Sequence, residues 1–217
     1  MDTRSTRTNP LNGDSATRDR VIEATVACIL ERGYYRASTN EIARTAGVTW
    51  GVIQHYFGTR EGLMLAVLQD GASQFVAIVE DVEIDGETVT ERMNQLLDIF
   101  SSHYAQPNFL AYLQILLNMD RDPRTSADVR KTMLNVAERS QGHVSRLLRE
   151  ALGTAAGTPD LATTVFLVIR GFGFSQQLLD TMAYDSLAPK HDRVGRQRRL
   201  LASILAPYVE RAEAERS

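Results

Sequence analysis

The chain has 217 residues and a net charge of −3, with 43% hydrophobic and 24% charged residues, which excludes a disordered, collagen-like or disulfide-stapled chain. No apolar run approaches the about 20 residues of a membrane span and no secretory signal is visible, so we expect a cytoplasmic protein. Residues 1–60 hold eight arginines and six acidic residues, whereas the remainder holds 16 basic and 21 acidic residues, the asymmetry expected of a DNA-binding module joined to a second domain.

The first 16 residues are polar and have no apolar periodicity. They are predicted to form a flexible N-terminal tail, because such a segment cannot bury enough apolar surface to fold. Arg4 and Arg7 leave two interpretations open. The tail is either an arm that lies in a DNA minor groove or a terminus without a role.

Four closely spaced helices are predicted next, because apolar residues recur there at helical spacing between clear start and stop signals. The first begins at Thr17 and is stopped by Gly33. The second begins with a capping box, in which Ser38 accepts from the amide of Glu41 and the Glu41 side chain reaches back. The third covers residues 49–57, and the fourth begins at Thr59.

Longer helices are predicted beyond residue 60. A capping box at Thr88 and Glu91 begins one helix, and an apolar stripe from Phe109 to Leu117 marks the next. Gly153 ends a third helix, and Thr158-Pro159 begins a helix that runs through Leu179. A last helix is predicted from about His191 to Arg211. No alternating pattern is long enough for a sheet. We therefore expect an all-α protein with a tail (1–16), a helix-turn-helix domain (17–62) and a larger body (63–217).

The stretch from Thr39 to Leu63 has the physical requirements of a helix-turn-helix. Ile42 and the small Ala43 face inward and let two helices approach closely. Gly47 supplies the left-handed residue of a tight turn, and Val48 and Ile53 anchor the second helix on the first. Because helical hairpins are common, this spacing alone is only moderately specific.

Several motifs in fixed order make the assignment specific. Over roughly residues 17–68 the chain resembles the TetR family of transcriptional regulators. The resemblance rests on Gly33-Tyr34, Thr39, Ile42-Ala43, Ala46-Gly47-Val48, Phe57 and Arg60-Glu61-Gly62-Leu63. It implies a three-helix helix-turn-helix head on a helical ligand-binding and dimerisation body. It also implies a ligand-responsive regulator, mainly a repressor, that binds double-stranded DNA as a homodimer.

The resemblance implies specific DNA contacts. The start of the second helix would bind phosphate, the N-terminal end of the third would read base edges, and its C-terminal end would hold phosphate or sugar. Glutamine stands at position 54 where the family usually has tyrosine, and it can pair with adenine. For Trp50, packing against the first helix is the alternative. The predicted contacts are Thr39, Thr49, Trp50, Gly51, Val52, Gln54, His55, Tyr56 and Arg60.

The resemblance also implies a small-molecule pocket in the body, although each aromatic residue there is also explained by ordinary core packing. The region has no cluster of charge, so the expected effector is apolar or weakly polar. No cofactor or metal is expected. The predicted lining residues are Phe100, His103, Tyr104, Phe109, Tyr112, Leu113, Leu116, Met119, Met133, Phe166, Phe172 and Gln176.

The last two helices are predicted to form a homodimer interface. Residues 165–169 are apolar on all sides, and Leu201, Ile204, Leu205 and Tyr208 share one side of the final helix. A two-fold dimer would place two recognition helices about 34–36 Å apart, or a multiple of this, so a palindromic operator is expected.

Two other functions remain open at this point. A helical enzyme is disfavoured because no His-x3-His pair, nucleophile elbow or phosphate loop is present, and Cys28 lies on an apolar stripe where we expect it to be buried and inert. A DNA-binding protein that structures the chromosome without a ligand switch is the other alternative. The sequence does not identify the effector, the operator or the regulated genes.

Overall fold

The computed structural model describes residues 10–181 and 192–216, and within these ranges it is helical and contains no strand. The prediction of an all-α fold is confirmed. The helices are α1 (Pro10–Arg32), α2 (Thr39–Ala46), α3 (Trp50–Phe57), α4 (Arg60–Val79), α5 (Val89–Tyr104), α6 (Pro107–Arg121), α7 (Ala127–Leu152), α8 (Leu161–Thr181) and α9 (Arg193–Ala214), with a 3-10 helix at Gly153–Gly157.

Helix α1 begins earlier than the sequence pattern suggests. Residues 10–16, predicted as part of the tail, belong to the helix, which begins at Pro10. A local bond from the Ser15 hydroxyl to Asp19 (3.2 Å) supports this turn, and Asp14 accepts a hydrogen bond from Tyr56 of α3. The second bond joins distant parts of the chain, so an apolar repeat could not reveal it. Residues 1–9, with Arg4 and Arg7, lie outside the described residues.

The predicted start of α8 at Thr158-Pro159 is wrong. Gly153 ends α7 with a positive φ of 56°, as expected, but a 3-10 helix follows and buries Ala155 completely. The Thr158 amide donates to the Ala155 carbonyl (2.9 Å), so Thr158 closes that turn instead of capping α8. Asp160 adopts a left-handed φ of 60°, and α8 begins after it.

The chain forms two compact units whose boundaries differ from the predicted division at residue 62. The first unit consists of the chain up to Gly71 together with Leu110–Val136. The second consists of Ala72–Phe109 and the chain from Ala137 onward. Helices α4, α6 and α7 therefore contribute to both units. A single boundary in the sequence cannot describe this division, because Leu110–Val136 belongs to the first unit although Ala72–Phe109, which precedes it, belongs to the second.

The core of the first unit contains the apolar stripe predicted for α1. Val21, Cys28 and Ile29 are buried there with Ile42 of α2 and Ile53 of α3. Helix α4 is long and apolar enough to cross a membrane by length and composition alone, properties that core helices share. Its residues 63, 64 and 67 are fully buried in this core, together with residue 115 of α6.

The core of the second unit is built around α5. Its residues Met93, Leu96, Leu97 and Phe100 are fully buried, and both α8 and α9 pack on this helix. The predicted capping box at its start is confirmed. The Thr88 hydroxyl accepts from the Glu91 amide (3.2 Å), and the Glu91 carboxylate accepts from the Thr88 amide (3.1 Å).

Candidate nucleic-acid interface

Helices α2 and α3 form the predicted helix-turn-helix. Gly47 lies between them with φ 65° and ψ 34°, a left-handed conformation that glycine adopts without strain. Its amide donates to the Arg44 carbonyl (3.2 Å), and the Val48 amide donates to the Ala43 carbonyl (3.0 Å). These bonds satisfy the last carbonyls of α2 and fix the direction in which α3 leaves.

The N-terminus of α2 has only half of its predicted capping box. The Ser38 hydroxyl accepts from the Glu41 amide (3.3 Å), as expected. The Glu41 carboxylate instead accepts from Arg44 and forms an ion pair with Arg32 at the end of α1 (2.9 Å). The hydrogen bond from Arg44 is the main reason that the pKa of Glu41 lies below its usual value. The carboxylate thus joins α1 to α2.

Helix α3 presents two very different faces. Ile53 is 1% exposed and anchors the helix in the core of the first unit, whereas Trp50 at its first position is 42% exposed. Trp50 is therefore not part of the buried core of the first unit, and both interpretations of it stay predictions. Thr49 precedes it without a side-chain capping bond. The exposed residues of α3 and its N-cap are Thr49, Trp50, Gly51, Gln54 and His55; Thr39, Val52, Tyr56 and Arg60 are half-buried.

The C-terminal end of α3 lies against the first turns of α1. The Tyr56 hydroxyl donates a hydrogen bond to the Asp14 carboxylate, and this bond is the main cause of a raised pKa of the phenol. The Tyr56 ring meets the His55 ring edge-on, with centroids 5.2 Å apart. One turn along α1, the Arg18 guanidinium lies over the Phe57 ring, 5.8 Å from its centroid. Two successive turns of α1 therefore contact the end of α3.

Arg60, predicted to clamp the DNA backbone, has partners inside the first unit. Its guanidinium donates to the Tyr34 carbonyl (2.7 Å) and lies over the Tyr34 ring, 4.3 Å from the centroid. The Tyr34 amide donates to the Gln114 side chain of α6 (3.2 Å). The start of α4, the α1–α2 loop and α6 thus meet at a single residue. Nothing local in the sequence marks Gln114 for this role.

The comparisons with known proteins agree with this geometry. Residues 21–67 match the family model described as bacterial regulatory proteins, tetR family. The HTH-type transcriptional regulator BetI of Escherichia coli is 42% identical over 64 residues, which cover 30% of this chain. The N-terminal head of the chain is thus similar to the head of tetR-family regulators. The match spans only 33% of the length of BetI, so it concerns the tetR head alone.

Solved structures are similar to this chain in fold over most of its length. FadR from Bacillus subtilis, in complex with stearoyl-CoA, has a TM-score of 0.62 and 18% identity, over 87% of this chain and 97% of that one. Salmonella enterica GusR has a TM-score of 0.60 and 17% identity, over 94% and 100%. The multidrug binding protein EbrR, complexed with imidazole, has a TM-score of 0.57 and 19% identity, over 88% and 94%.

The predicted pocket residues are distributed over both units. Met119 and Met133 are buried in the core of the first unit, and Leu116 is 37% exposed. The Tyr112 ring lies against Gly71, where a Cβ atom would be 2.7 Å from two ring carbons. The first unit holds Tyr112, Leu113, Leu116, Met119 and Met133; the second holds Phe100, His103, Tyr104, Phe109, Phe166, Phe172 and Gln176.

In the second unit the aromatic side chains form one cluster around His103. Its ring lies 4.4 Å from the Phe75 ring and 5.9 Å from the Phe109 ring, between centroids. Tyr104 stacks with Phe100 at 6.0 Å, and a Cβ atom at Gly173 of α8 would lie 2.7 Å from the Tyr104 side chain. Burial lowers the pKa of His103 to about 4, so its imidazole is neutral at pH 7. Phe75 was absent from the predicted lining.

Gln176 and Cys28 are two further buried side chains that can form hydrogen bonds. Gln176 is 6% exposed and donates to Gln197 (3.4 Å), while its Oε1 atom finds no partner among the described residues. Cys28 is 1% exposed, as predicted, and its thiol donates to the Thr45 hydroxyl (3.3 Å). Over residues 10–181 and 192–216, no group of three or more His, Cys, Asp or Glu side chains is placed to hold a metal ion.

Proposed function

We propose that the protein is a cytoplasmic transcriptional regulator, mainly a repressor, that binds a palindromic operator as a homodimer through α3. One observation carries this proposal: α3 is anchored by a fully buried Ile53 while Trp50, Gln54 and His55 remain exposed on its other side. Exposed side chains on a firmly held helix are what reading of a major groove requires. Thr39, Thr49, Gly51, Val52, Tyr56 and Arg60 complete the proposed DNA contacts.

The first test is fluorescence anisotropy with the DNA upstream of the protein's own gene and a scrambled duplex at the same salt concentration. We expect tighter binding to the upstream DNA, with two protomers or more at each site. Gln54→Ala should weaken this selective binding, whereas Gln141→Ala, an exposed glutamine of α7, should not. Equal and weak binding to both duplexes would contradict control of this gene and would favour the chromosome-structuring alternative.

We propose that α8 and α9 form the dimer interface. The observation that supports it is an exposed apolar stripe on α9, where Leu200 is 61%, Ile204 51% and Tyr208 63% exposed, while Leu167 of α8 is 60% exposed. Leu201 and Leu205, predicted to share this interface, pack instead against the core of the second unit. Large exposed apolar side chains in a row are typical of a protein–protein interface.

Sedimentation velocity tests the dimer. Ile204→Asp should shift the protein from dimer to monomer at micromolar concentration, because it would bury a carboxylate in the interface. Leu134→Asp places the same charge at a 65% exposed position of α7 and should leave the dimer intact. A dimer that tolerates Ile204→Asp would place the interface elsewhere.

We propose a small, mostly apolar effector for the second unit, where the aromatic cluster around His103 and the unpartnered Oε1 atom of Gln176 supply apolar surface and a polar group. Binding of the effector would favour a conformation with a lower affinity for DNA. Stearoyl-CoA and imidazole, which the structures of FadR and EbrR contain, are the first probes to add to the protein–DNA complex. Equal affinity of a probe for free and DNA-bound protein would exclude it as an effector.

A further inference from the structure

The contact between Asp14 and Tyr56 joins the earliest described turns of the chain to the helix proposed to read DNA. Asp14 and Arg18 lie four residues apart on one face of α1, and they contact Tyr56 and Phe57, which are neighbours at the end of α3. Asp14 is exposed and Tyr56 is half-buried. The hydroxyl group and the carboxylate therefore lie at the surface of the first unit.

This bond has a consequence for any anion that approaches Tyr56. A phenol has a single O–H proton, so its hydroxyl donates to one acceptor at a time. A DNA phosphate that accepts from Tyr56 must displace the Asp14 carboxylate, which then stays beside the phosphate as a like charge. Both effects oppose binding, and neither depends on base sequence because the phosphate backbone is the same in every duplex.

We propose that Asp14 is an intramolecular competitor of the DNA backbone for the Tyr56 hydroxyl and thereby lowers the sequence-independent affinity of the protein for DNA. The inference rests on the proposed function, since it takes Tyr56 as a phosphate contact. A low affinity for arbitrary DNA is useful to a regulator, because the sites that compete with its operator vastly outnumber it.

Asp19 provides the matched control. It lies on α1, five residues after Asp14, and its carboxylate accepts from Ser15 (3.2 Å) and pairs with Arg18 (3.9 Å). Asp14→Asn and Asp19→Asn remove the same charge from the same helix with little change of shape. Only the first removes a carboxylate that holds Tyr56, so the difference between the two isolates the competition from a general change in net charge.

The experiment measures anisotropy of a labelled duplex of about 30 base pairs and arbitrary sequence, between about 50 and 200 mM salt. It uses the full chain and four variants: Asp14→Asn, Asp19→Asn, Tyr56→Phe and the double variant of Asp14 and Tyr56. We expect Asp14→Asn to bind roughly three- to tenfold more tightly at the lowest salt, and Asp19→Asn less than about twofold more tightly. The gain from Asp14→Asn should shrink when Tyr56→Phe is also present. Thermal unfolding midpoints equal to that of the unchanged protein show that the variants fold.

The outcomes separate this inference from the function on which it rests. Equal gains from Asp14→Asn and Asp19→Asn, or a gain that Tyr56→Phe leaves unchanged, would overturn the competition while DNA binding stands. Failure of both the unchanged protein and Asp14→Asn to bind the duplex at the lowest salt would contradict the inference and the DNA contact of Tyr56 on which it rests.

Discussion

The Arg60 guanidinium donates a hydrogen bond to the Tyr34 carbonyl at 2.7 Å and lies over the ring of the same residue at 4.3 Å. Tyr34 is 7% exposed and its amide donates to Gln114, so its backbone is held from both sides. The α1–α2 loop, which positions the helix-turn-helix, is therefore fixed by the first residue of α4. Arg60 has a structural role in addition to its proposed contact with the DNA backbone.

Arg60→Ala should lower the free energy of unfolding by about 1–3 kcal/mol, because it removes a charge-assisted hydrogen bond and a cation–π contact together. Arg60→Lys keeps a cation near the ring but loses the planar guanidinium, so its loss should be smaller. Urea unfolding measures both. Arg36→Ala, at an exposed arginine in the same loop, is the control and should change stability little. Equal stability of all three variants would contradict the role of Arg60.

Gly62→Ala should destabilise the protein by about 1–3 kcal/mol, because a methyl group at this position collides with the Phe57 carbonyl oxygen at the end of α3. Gly142→Ala is the opposite case. Apart from the backbone of its own helix and its chain neighbours, no atom lies within 4 Å of a Cβ atom there, and alanine in a helix gains about 0.5–1 kcal/mol over glycine. Thermal unfolding of the two variants should therefore shift in opposite directions. Similar shifts would mean that the α3–α4 turn relaxes to accept the methyl group.

Trp50 is the only tryptophan of the chain, so fluorescence excited at a wavelength that tyrosine does not absorb reports on the start of α3 alone. Because its indole is 42% exposed, we expect DNA to exclude water from it, shift its emission to shorter wavelength and protect it from iodide. The titration uses the DNA upstream of the gene, with anisotropy of the labelled duplex as a parallel measure of binding. Unchanged emission at saturation would mean that this end of α3 does not touch the DNA.

The half-buried His103 should make the second unit sensitive to acid. Its pKa is lowered from 6.5 to about 4 by burial, so between these values the unfolded chain binds the proton more readily than the folded one. Stability is therefore unaffected by this group above about pH 6.5 and falls as the pH drops toward about 4. The loss should be about 1–2 kcal/mol, less than the full pKa difference gives, because the imidazole is half-buried.

Urea unfolding at a series of pH values measures this loss. His103→Gln removes the titrating group and should flatten the stability profile over this range, whereas His143→Gln should retain the slope of the unchanged protein. If His103→Gln retains the same slope, the acid sensitivity comes from other groups.

Local signals in the sequence predicted most of the helices and the head. The capping box of Thr88 and Glu91 and the left-handed Gly47 involve residues within four positions of one another, so the local sequence is enough to predict them. The buried stripe of α1 is similarly local, because a helix repeats every 3.6 residues.

Other features were decided by partners that are remote in sequence. The Glu41 carboxylate pairs with Arg32 of another helix instead of accepting from the amide of its own N-cap. Asp14, in the part of α1 that the sequence pattern did not predict, accepts a hydrogen bond from Tyr56, 42 positions away. Thr158, predicted as an N-cap, instead ends a 3-10 helix whose Ala155 is buried in the core of the second unit. In each case a local preference worth about 1 kcal/mol competes with burial or an ion pair of similar size.

The sequence by itself determined that the chain is helical and that its N-terminal part contains a helix-turn-helix, because periodicity, caps and turn glycines act over short stretches of chain. The tertiary structure alone decided which segments share a core. It joined Leu110–Val136 to the head and separated Met119 and Met133 from the aromatic cluster around His103. The physical reason is that burial stabilises any apolar faces that pack together. A sequence pattern shows that a helix face is apolar, but it does not show which other face packs against it.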